Sequence, residues 1–409
     1  MNRRTLLLTL LGIALCLVGL LRVAIILPSR STHNDFAHYY VSSRLLLEGR
    51  DPYYAPFAYE YGRLGLEYDP RVFSATNPPP LVFLTQPLAL LEPRPAFYIW
   101  TTVQGLALAV TLLLLWRILG NRTSMDGFLV LAGALVVAGA TYRDFYFGQI
   151  QLLLGAIILG AYVLHVEGRP AIAWLLVTIA CLLKLFPLVL LPWFVWKGSG
   201  RASEKLLRLV PSLLVTAAVF AVTVPLWPGF LGSGLAAVKS NVINQTGNYS
   251  AFSFVVNLGH ALANFSPSPA LAASLWSAGA ICAALLVVAA YAVCVNGRTQ
   301  LENQLCLLLL TTLLASPTAW DHYFVLAFLP FCVFALATLN QPSTKRVVAV
   351  VLVYFGTLHL MNLGGLVTHP VLKVLLSYLP TYVVFGLALW FVRRLGLHNA
   401  GRPTVHVEE

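Results

Sequence analysis

The sequence predicts an all-α polytopic membrane protein, a helical bundle that crosses the bilayer about twelve times. Hydrophobic residues make up 59% of the chain and charged residues only 10%, whereas soluble domains average about 25% charged residues. The mean hydropathy is +0.80. Apolar runs of about 17–25 residues, long enough to cross a hydrocarbon core, recur along the chain. Because lipid offers no hydrogen-bond partners, the backbone within these runs is expected to be helical.

The net charge of +11 follows the pattern of a membrane protein rather than of a nucleic-acid-binding protein. Lysine and arginine collect in short loops, where they orient helices by remaining on the cytoplasmic side. We therefore expect the lipid bilayer, and no nucleic acid, as a partner. All six cysteines lie within apolar runs and none forms a Cys-x-x-Cys pair, so they are interpreted as small buried side chains.

The first predicted element is a helix at about 5–27. Arg3 and Arg4 precede it, and no Ala-x-Ala cleavage site follows, so it is expected to be a retained signal anchor running from inside to outside. Residues 28–80 then form the first outer loop. Within it, a helix lying in the membrane interface is expected, because apolar residues recur at helical spacing: Phe36, Tyr39, Tyr40, Leu45, Leu46 and Leu47.

The proline run 78–80 begins a short interfacial or re-entrant segment at Leu81–Leu91 on the outer side, since proline is tolerated in the first turn of a helix. The basic loops that follow are expected on the cytoplasmic side, so the chain must cross the membrane an even number of times between one such loop and the next. The remaining predicted spans are about 95–118, two short helices within 126–165, a hairpin over 170–196, and single spans at about 206–226, 270–295, 301–315, 323–340, 347–362 and 371–392. Residues 1–395 thus form a single transmembrane domain with a second outer loop at 228–268, followed by a cytoplasmic tail, 396–409.

Two segments interrupt this apolar pattern. Residues 142–149 are predicted to form the outer turn between the two short helices. The hairpin over 170–196 is expected to break at 181–187, around Lys184 and Pro187. A lysine at the centre of a single span costs about 2.5–3.5 kcal/mol, but at the tip of a broken helix it can face a polar cavity.

On this topology the unusual polar residues collect on the outer side of the membrane. They are Asp35, Asp51, Asn77, Arg143, Asp144, Gln149, Lys184, Asn248, Asp321, His322 and His369. This asymmetry predicts an active site that faces outwards from the plasma or inner membrane.

Three of these residues lie in the first outer loop. Asp35, beside an apolar surface, is a candidate general base, since a carboxylate there can have its affinity for protons adjusted. Its alternative roles are a helix cap or a partner for Arg44. Asp51, which precedes a proline, is expected in a turn. Asn77 is either a cap or a ligand for substrate.

Lys184 is the best candidate for binding a lipid phosphate at membrane depth, because an ammonium group there needs an anion. The alternatives are snorkelling to the interface or pairing with Asp144. Arg143 is a second candidate for the same phosphate. Gln149 is expected either to bond a sugar hydroxyl or to cap a helix.

Asp321 and His322 occur together between two spans, beside Trp320. An aromatic interfacial belt explains Trp320 alone, whereas the adjacent acid and imidazole favour a site. A divalent metal held by Asp35, Asp321 and His322 is a weaker hypothesis, because no metal-ligand spacing is present. No phosphate-cradling glycine-rich loop occurs either, so no nucleotide cofactor is predicted.

Several short motifs, taken in order, resemble glycosyltransferase family 87, whose members are GT-C-type membrane enzymes. They are Asp35-Phe-x-x-Tyr39-Tyr40, Leu-x-x-Gly49-x-Asp51-Pro52-Tyr53, the proline run 78–80 leading to Pro87-Leu88, Gly148-Gln149, Lys184-x-x-Pro187, Gly247-Asn248-x-Ser250, and Ser316-Pro317 through Trp320-Asp321-His322. The chain departs from the family pattern in having Asn77 before the prolines, Gln151 after Gly148-Gln149, and Tyr323 after His322.

The resemblance implies a GT-C-type bundle that transfers mannose from a polyprenyl-phosphate donor to a glycan or glycolipid acceptor. It implies that Asp35 is the base of an inverting reaction and that Lys184 and Arg143 bind the donor phosphate. Sugar or acceptor contacts would come from Asn77, Gln149, Asn248, Asp321 and His322. The lipid-linked sugar is a cosubstrate, and no other cofactor is firmly implied.

Two other functional classes remain open on the sequence alone. A lipid or solute transporter would use Lys184 as an intramembrane anion site, and it would need polar residues along its whole path. A structural subunit of an envelope-assembly complex would leave Asp35 without a role.

Overall fold

The computed structural model describes residues 2–31, 35–68, 75–197, 201–242, 247–264, 266–296, 300–340, 343–359 and 363–400. Across these ranges the secondary structure is helical, apart from one isolated antiparallel bridge between Asn248 and Trp320. The described part of the chain is thus all-α, as the sequence predicts.

The chain forms two compact units. The first comprises Met1–Asn241 with Asp321–Val325, and the second comprises Val242–Trp320 with Leu326–Glu409. The helices up to the end of the first unit are α1 (Arg3–Arg30), α2 (Phe36–Leu47), α3 (Phe57–Arg63), α4 (Pro79–Ala89), α5 (Pro93–Leu119), α6 (Met125–Val137), α7 (Gly139–Phe147), α8 (Gln151–Val166), α9 (Pro170–Leu183), α10 (Leu191–Lys197), α11 (Ala202–Thr223) and α12 (Trp227–Val242). A single transmembrane domain over 1–395 stays a prediction.

The helices of the second unit are α13 (Ala251–Leu262), α14 (Pro269–Asn296), α15 (Leu301–Ala315), α16 (Phe328–Leu339), α17 (Thr344–Thr357), α18 (Pro370–Ser377) and α19 (Leu379–Ala400). A 3-10 helix, Asp321–Ala327, begins in the first unit and continues into the second. Residues 303–314 of α15 are all buried, so this helix forms the centre of the second unit.

Several helices in the described part of the chain are candidate membrane spans, which supports a multi-pass protein but does not establish the twelve predicted crossings. Among the described residues, five helical segments are long and apolar enough to cross a membrane: Arg3–Arg30, Pro93–Arg122, Leu209–Lys239, Pro269–Val295 and Asp321–Leu339. Two bent pairs, 125–147 and 370–396, raise the number to seven if each pair is one span. Four other predicted crossings fall on apolar helices of 10–17 residues, and the crossing predicted at 347–362 falls on α17, which has 14 residues. A straight helix of that length is shorter than a hydrocarbon core about 30 Å thick. The chain is a multi-pass membrane protein.

Several predicted boundaries need correction. Residues 142–147 belong to α7, and the turn predicted over 142–149 is confined to 148–150. The segment 228–268, predicted as a loop, contains most of α12 and all of α13. The tail predicted from 396 begins as the last turn of α19, which extends to Ala400; residues 401–409 lie outside the described part. In each case a helix continues through polar or small residues, which have only a weak intrinsic preference against helix.

Helix α1 packs closely against α6 through glycines. A Cβ added at Gly12 would lie 2.6 Å from the carbonyl carbon of Leu129, and one added at Gly19 would lie 2.7 Å from the carbonyl oxygen of Val136. From the opposite side, a Cβ at Gly133 would lie 2.6 Å from the carbonyl oxygen of Gly12. Small residues allow two membrane helices to approach to backbone contact, and van der Waals packing then holds them together.

Replacing Gly12 by Ala should therefore destabilise the first unit. The added methyl group overlaps backbone atoms that cannot rotate away, and overpacking of this kind typically costs about 1–3 kcal/mol. The measurement is the Tm of purified protein in detergent, with Gly105→Ala in α5 as the control, because a Cβ at Gly105 meets nothing within 4 Å. Equal Tm values for the two variants would contradict the close contact between α1 and α6.

The helix predicted between residues 36 and 47 exists, but protein rather than lipid covers it. Nine of the twelve residues of α2 are buried, and α2 packs against α4 and α5. Its hydroxyl groups bond to α4: Ser43 Oγ donates to the carbonyl oxygen of Val82 at 2.8 Å and lies 2.7 Å from Thr85 Oγ1. Helical spacing in the sequence reveals an apolar face but not what covers it.

A network of charged side chains joins α2 to α3. The carboxylate of Glu60 accepts hydrogen bonds from Arg50 at 2.5 Å and from Arg63 at 2.8 Å. Glu48 accepts from Arg63 at 2.8 Å and from Arg44 at 3.2 Å. The Glu60 side chain is 0% exposed, whereas that of Arg50 is 43% exposed, so the arginines cover the acid. The hydrogen bond from Arg50 lowers the pKa of Glu60, burial opposes this effect, and the hydrogen bond from Arg63 reinforces it.

This network should make the first unit sensitive to acid. Because the pKa of Glu60 is lower in the folded protein than its ordinary value of 4.5, its contribution to stability is present above that value. The contribution is lost as pH falls through the folded pKa. We expect the Tm of the wild type to exceed that of Glu60→Gln at neutral pH, and the difference to shrink below about pH 4.5. A difference in Tm that is independent of pH would contradict an ionised, arginine-bound Glu60.

Candidate active site

The candidate site begins where the end of α7 meets the start of α2. Helix α7 ends at Phe147, and the next residue, Gly148, has a φ of +64°, a backbone conformation that glycine adopts without strain. A Cβ at Gly148 would lie 2.8 Å from Cβ of Phe36, so close approach also requires glycine. The backbone N–H of Asp35 donates to the carbonyl oxygen of Phe147 at 2.8 Å. The Gly148-Gln149 pair is thereby held directly against Asp35.

Asp35 is bound through its side chain to Gln149. The amide Nε2 of Gln149 donates to Asp35 Oδ2 at 2.6 Å, and its Oε1 accepts from the hydroxyl of Tyr39 at 2.7 Å. Burial raises the pKa of Tyr39 well above its ordinary value, and the charge of Asp35 raises it further, so the hydroxyl remains protonated and donates. The amide orientation follows from chemistry, since turning it over would point its oxygen at a carboxylate. Asp35 forms no side-chain cap hydrogen bond with α2, and Arg44 pairs with Glu48 instead.

Two side chains of helix α5 donate hydrogen bonds to the turn between α7 and α8. Nε2 of Gln104 donates to the carbonyl oxygens of Asp144 and Gln149, each at 2.9 Å, and contacts Asp144 Oδ2 at 3.1 Å. The indole N–H of Trp100 donates to the carbonyl oxygen of Gly148 at 2.8 Å. Asp144 Oδ1 accepts from the backbone N–H of Gln151 at 3.1 Å, which satisfies an otherwise unpaired donor at the start of α8. Asp144 is therefore a structural residue that organises the turn.

Lys184 lies in the predicted break. Helix α9 ends at Leu183, Lys184 adopts an extended conformation, and a short 3-10 helix follows. Its ammonium Nζ donates to Oδ1 of Asn77 at 3.4 Å rather than pairing with Asp144. The carbonyl oxygen of Asn77 accepts from the hydroxyl of Tyr53 at 2.6 Å, and the cap position of α4 is occupied by Pro78. Asn77 is thus a partner of Lys184 and not a helix cap.

Arg143 and Asp321 form an ion pair, with Arg143 Nε 3.3 Å from Asp321 Oδ2. The next residue, His322, is 5% exposed, and its ring lies edge-on to Phe147 with the ring centroids 5.9 Å apart. Within the described part of the chain its Nδ1 atom is buried and has no hydrogen-bond partner. A buried donor or acceptor in this state is costly, and a substrate hydroxyl or phosphate oxygen would satisfy it.

Phe147 connects two of these groups, because its carbonyl oxygen accepts from the backbone N–H of Asp35 and its ring contacts the ring of His322. The first unit therefore brings together seven of the eight side chains proposed from the sequence: Asp35, Asn77, Arg143, Gln149, Lys184, Asp321 and His322.

Asn248 has a different environment, within the second unit. Its Oδ1 accepts from the backbone N–H of Ala319 at 2.9 Å, and its Nδ2 donates to the carbonyl oxygen of Pro317 at 3.1 Å. Asn248 is 1% exposed, so its amide organises the segment 317–320 just before Asp321. The sugar contact expected from the sequence stays a prediction. Asp51 likewise accepts from the backbone N–H of Tyr53 at 2.8 Å, which confirms the predicted turn.

Sequence reasoning did not single out Gln104 or Trp100, and it placed Tyr39 on an apolar face and in the motif that begins at Asp35 without giving it a role. One signal was available for Gln104, which is a polar side chain within the apolar helix α5. Asp35, Asp321 and His322 do not gather into a metal site, because no group of three or more His, Cys, Asp or Glu side chains suited to a metal occurs among the described residues.

One comparison with known proteins bears on identity. A family model described as Glycosyltransferase family 87 matches residues 75–317, which is more than half of the 409 residues. The match includes Asn77, Gln149 and Lys184, whereas Asp35 precedes it and Asp321 follows it. Among curated proteins, none matches the chain. The family match agrees with the resemblance deduced from the motifs, and this multi-pass membrane protein belongs to glycosyltransferase family 87.

Proposed function

We propose that this protein transfers mannose from a polyprenyl-phosphate donor to a hydroxyl of a glycan or glycolipid acceptor. Transfer takes place at the outer face of the cell membrane and inverts the anomeric centre. Membership of a glycosyltransferase family favours this over the transporter that Lys184 alone would suggest. Mannose and the lipid-phosphate donor rest on the resemblance, and the outer face rests on the distribution of basic loops.

The observation that carries the proposal is the geometry of Asp35. Gln149 binds Oδ2 of the carboxylate, while Oδ1 has no side-chain or backbone donor recorded within the described residues. The side chain is partly exposed, so an acceptor hydroxyl can approach Oδ1. A general base must lie within hydrogen-bond reach of the proton that it removes and must be held in one orientation.

In the proposed step, Asp35 removes the proton from the acceptor hydroxyl as its oxygen attacks the anomeric carbon of the donor. The bond between that carbon and the phosphate oxygen breaks, and its electron pair remains on the phosphate. Lys184 and Arg143 stabilise the negative charge of the leaving phosphate. Because the leaving group is a stable anion, a dedicated general acid is less necessary. Asp321, His322 and Asn77 are available for sugar hydroxyls.

The test is an assay of purified, reconstituted protein against polyprenyl-phosphate mannose, glucose and galactose, with membranes of the producing cell as the source of acceptor. We expect radiolabelled mannose to enter the acceptor with the anomeric configuration opposite to that of the donor. Transfer from a nucleotide sugar but from none of the lipid donors would overturn the donor class. Retention of configuration would overturn the role of Asp35 as base.

A further inference from the structure

We propose that Tyr39 is a positioning residue, which orients the Asp35 carboxylate through the amide of Gln149. The inference rests on the proposed role of Asp35 and adds a residue to that site. Tyr39 itself contacts Gln149, so its effect on Asp35 has to pass through the amide.

Among the described residues, the hydroxyl of the buried Tyr39 side chain bonds to Oε1 of Gln149. Tyr39 is 1% exposed and Gln149 is 7% exposed. The tyrosine ring is held edge-on between Phe36 and Trp100, at centroid distances of 6.3 and 5.8 Å. Its hydroxyl therefore points along a fixed direction towards Oε1 of Gln149.

The two ends of the Gln149 amide are both in use. Oε1 accepts from Tyr39 and Nε2 donates to Asp35. Without the hydroxyl, Oε1 becomes a buried acceptor with no partner, a state that costs about 1–3 kcal/mol. The amide then gains from rotating towards any other donor, and Asp35 loses the partner that holds Oδ2.

If the Tyr39 hydroxyl served only to stabilise the fold, its removal should act like the removal of a similar hydroxyl nearby. The neighbouring residue, Tyr40, offers this matched control. The hydroxyl of Tyr40, also on α2, donates to the carbonyl oxygen of Leu91 at 2.7 Å, and Tyr40 is 2% exposed. Tyr39→Phe and Tyr40→Phe each remove one hydroxyl and one hydrogen bond from the same helix. Only the first bond leads to Asp35.

The kinetic test compares both variants in the lipid-donor assay. Tyr39→Phe should lower kcat about 10- to 100-fold, a range typical for a misplaced catalytic group, with little change in KM for the donor. Tyr40→Phe should leave both kcat and KM unchanged. In a Gln149→Ala background, Tyr39→Phe should have no further effect, and an undiminished effect there would overturn the relay.

A measurement without substrate separates this inference from the proposed function. The infrared carboxylate band of Asp35, assigned by its loss in Asp35→Asn, should move in Tyr39→Phe and stay in place in Tyr40→Phe. If the band moves but wild-type protein uses no lipid donor, positioning stands and the donor assignment fails. If lipid donors are used but the band does not move, the function stands and positioning is wrong. A Tyr39→Phe protein that fails to fold while Tyr40→Phe folds would also contradict a positioning role.

Discussion

Replacing Asp35 by Asn should give a folded protein whose sugar transfer is lowered by about 10²–10⁴-fold, the contribution typical of a general base. The amide is nearly the same shape as the carboxylate, and its oxygen can still accept the hydrogen bond that Gln149 donates to Asp35 at 2.6 Å. What it loses is the ability to take up a proton. The measurement is transfer from polyprenyl-phosphate mannose in reconstituted vesicles, together with the Tm in detergent.

The control for this experiment is another aspartate of the same loop. Asp51 accepts from the backbone N–H of Tyr53 in a turn, and Asp51→Asn should retain transfer close to that of the wild type. Near-normal transfer by Asp35→Asn would show that this carboxylate is not the base. Loss of transfer accompanied by a clear fall in Tm would instead indicate that Asp35 has a structural role.

Replacing Lys184 by Met should weaken donor binding about 10- to 100-fold, because a charge-assisted hydrogen bond contributes about 1.5–3 kcal/mol. Stability should not fall with it. The ammonium group makes one long hydrogen bond, 3.4 Å to Asn77, and it sits in a broken apolar helix where a charge is unfavourable. Methionine fills a similar volume without that charge. The measurements are KM for the lipid donor and the Tm of the same preparation.

Two further variants define what Lys184 does. Lys184→Arg keeps the charge and should retain more donor affinity than Lys184→Met. Lys239→Met, at an exposed position on α12, should change neither KM nor Tm. A Lys184→Met protein with normal KM and reduced Tm would assign the lysine to folding rather than to phosphate binding.

Charge made much of the site predictable from the sequence. In a chain with 10% charged residues, Asp35, Arg143 and Lys184 stand out because ionised groups are unfavourable near lipid and persist there mainly for function. Tyr39 and Trp100 gave no such signal, since aromatic residues are common at membrane interfaces. Their importance lies in which atoms their polar ends reach, and that depends on packing between α2, α5 and α7.

Asn248 shows what a sequence motif leaves open. Its place between Gly247 and Ser250 resembles a substrate-binding motif, and in the structure its amide bonds to the backbone at Pro317 and Ala319. A substrate contact of Asn248 stays a prediction. The twelve crossings also go beyond the five to seven candidate spans among the described residues, because hydropathy marks an apolar run without showing how long a helix it forms.

The glycine contact between α1 and α6 has a consequence for how the protein is made. Gly133 leaves the ribosome more than a hundred residues after Gly12, and at about 5–20 residues per second this delay is on the order of ten seconds. During that interval the glycine surface of α1, at Gly12 and Gly19, must be covered by lipid or by the insertion machinery. The Asp35 segment, which follows α1, reaches its partner Gln149 only after α6 and α7 have been synthesised. The contact between Asp35 and Gln149 is therefore made late in biogenesis, after most of the first unit has been synthesised.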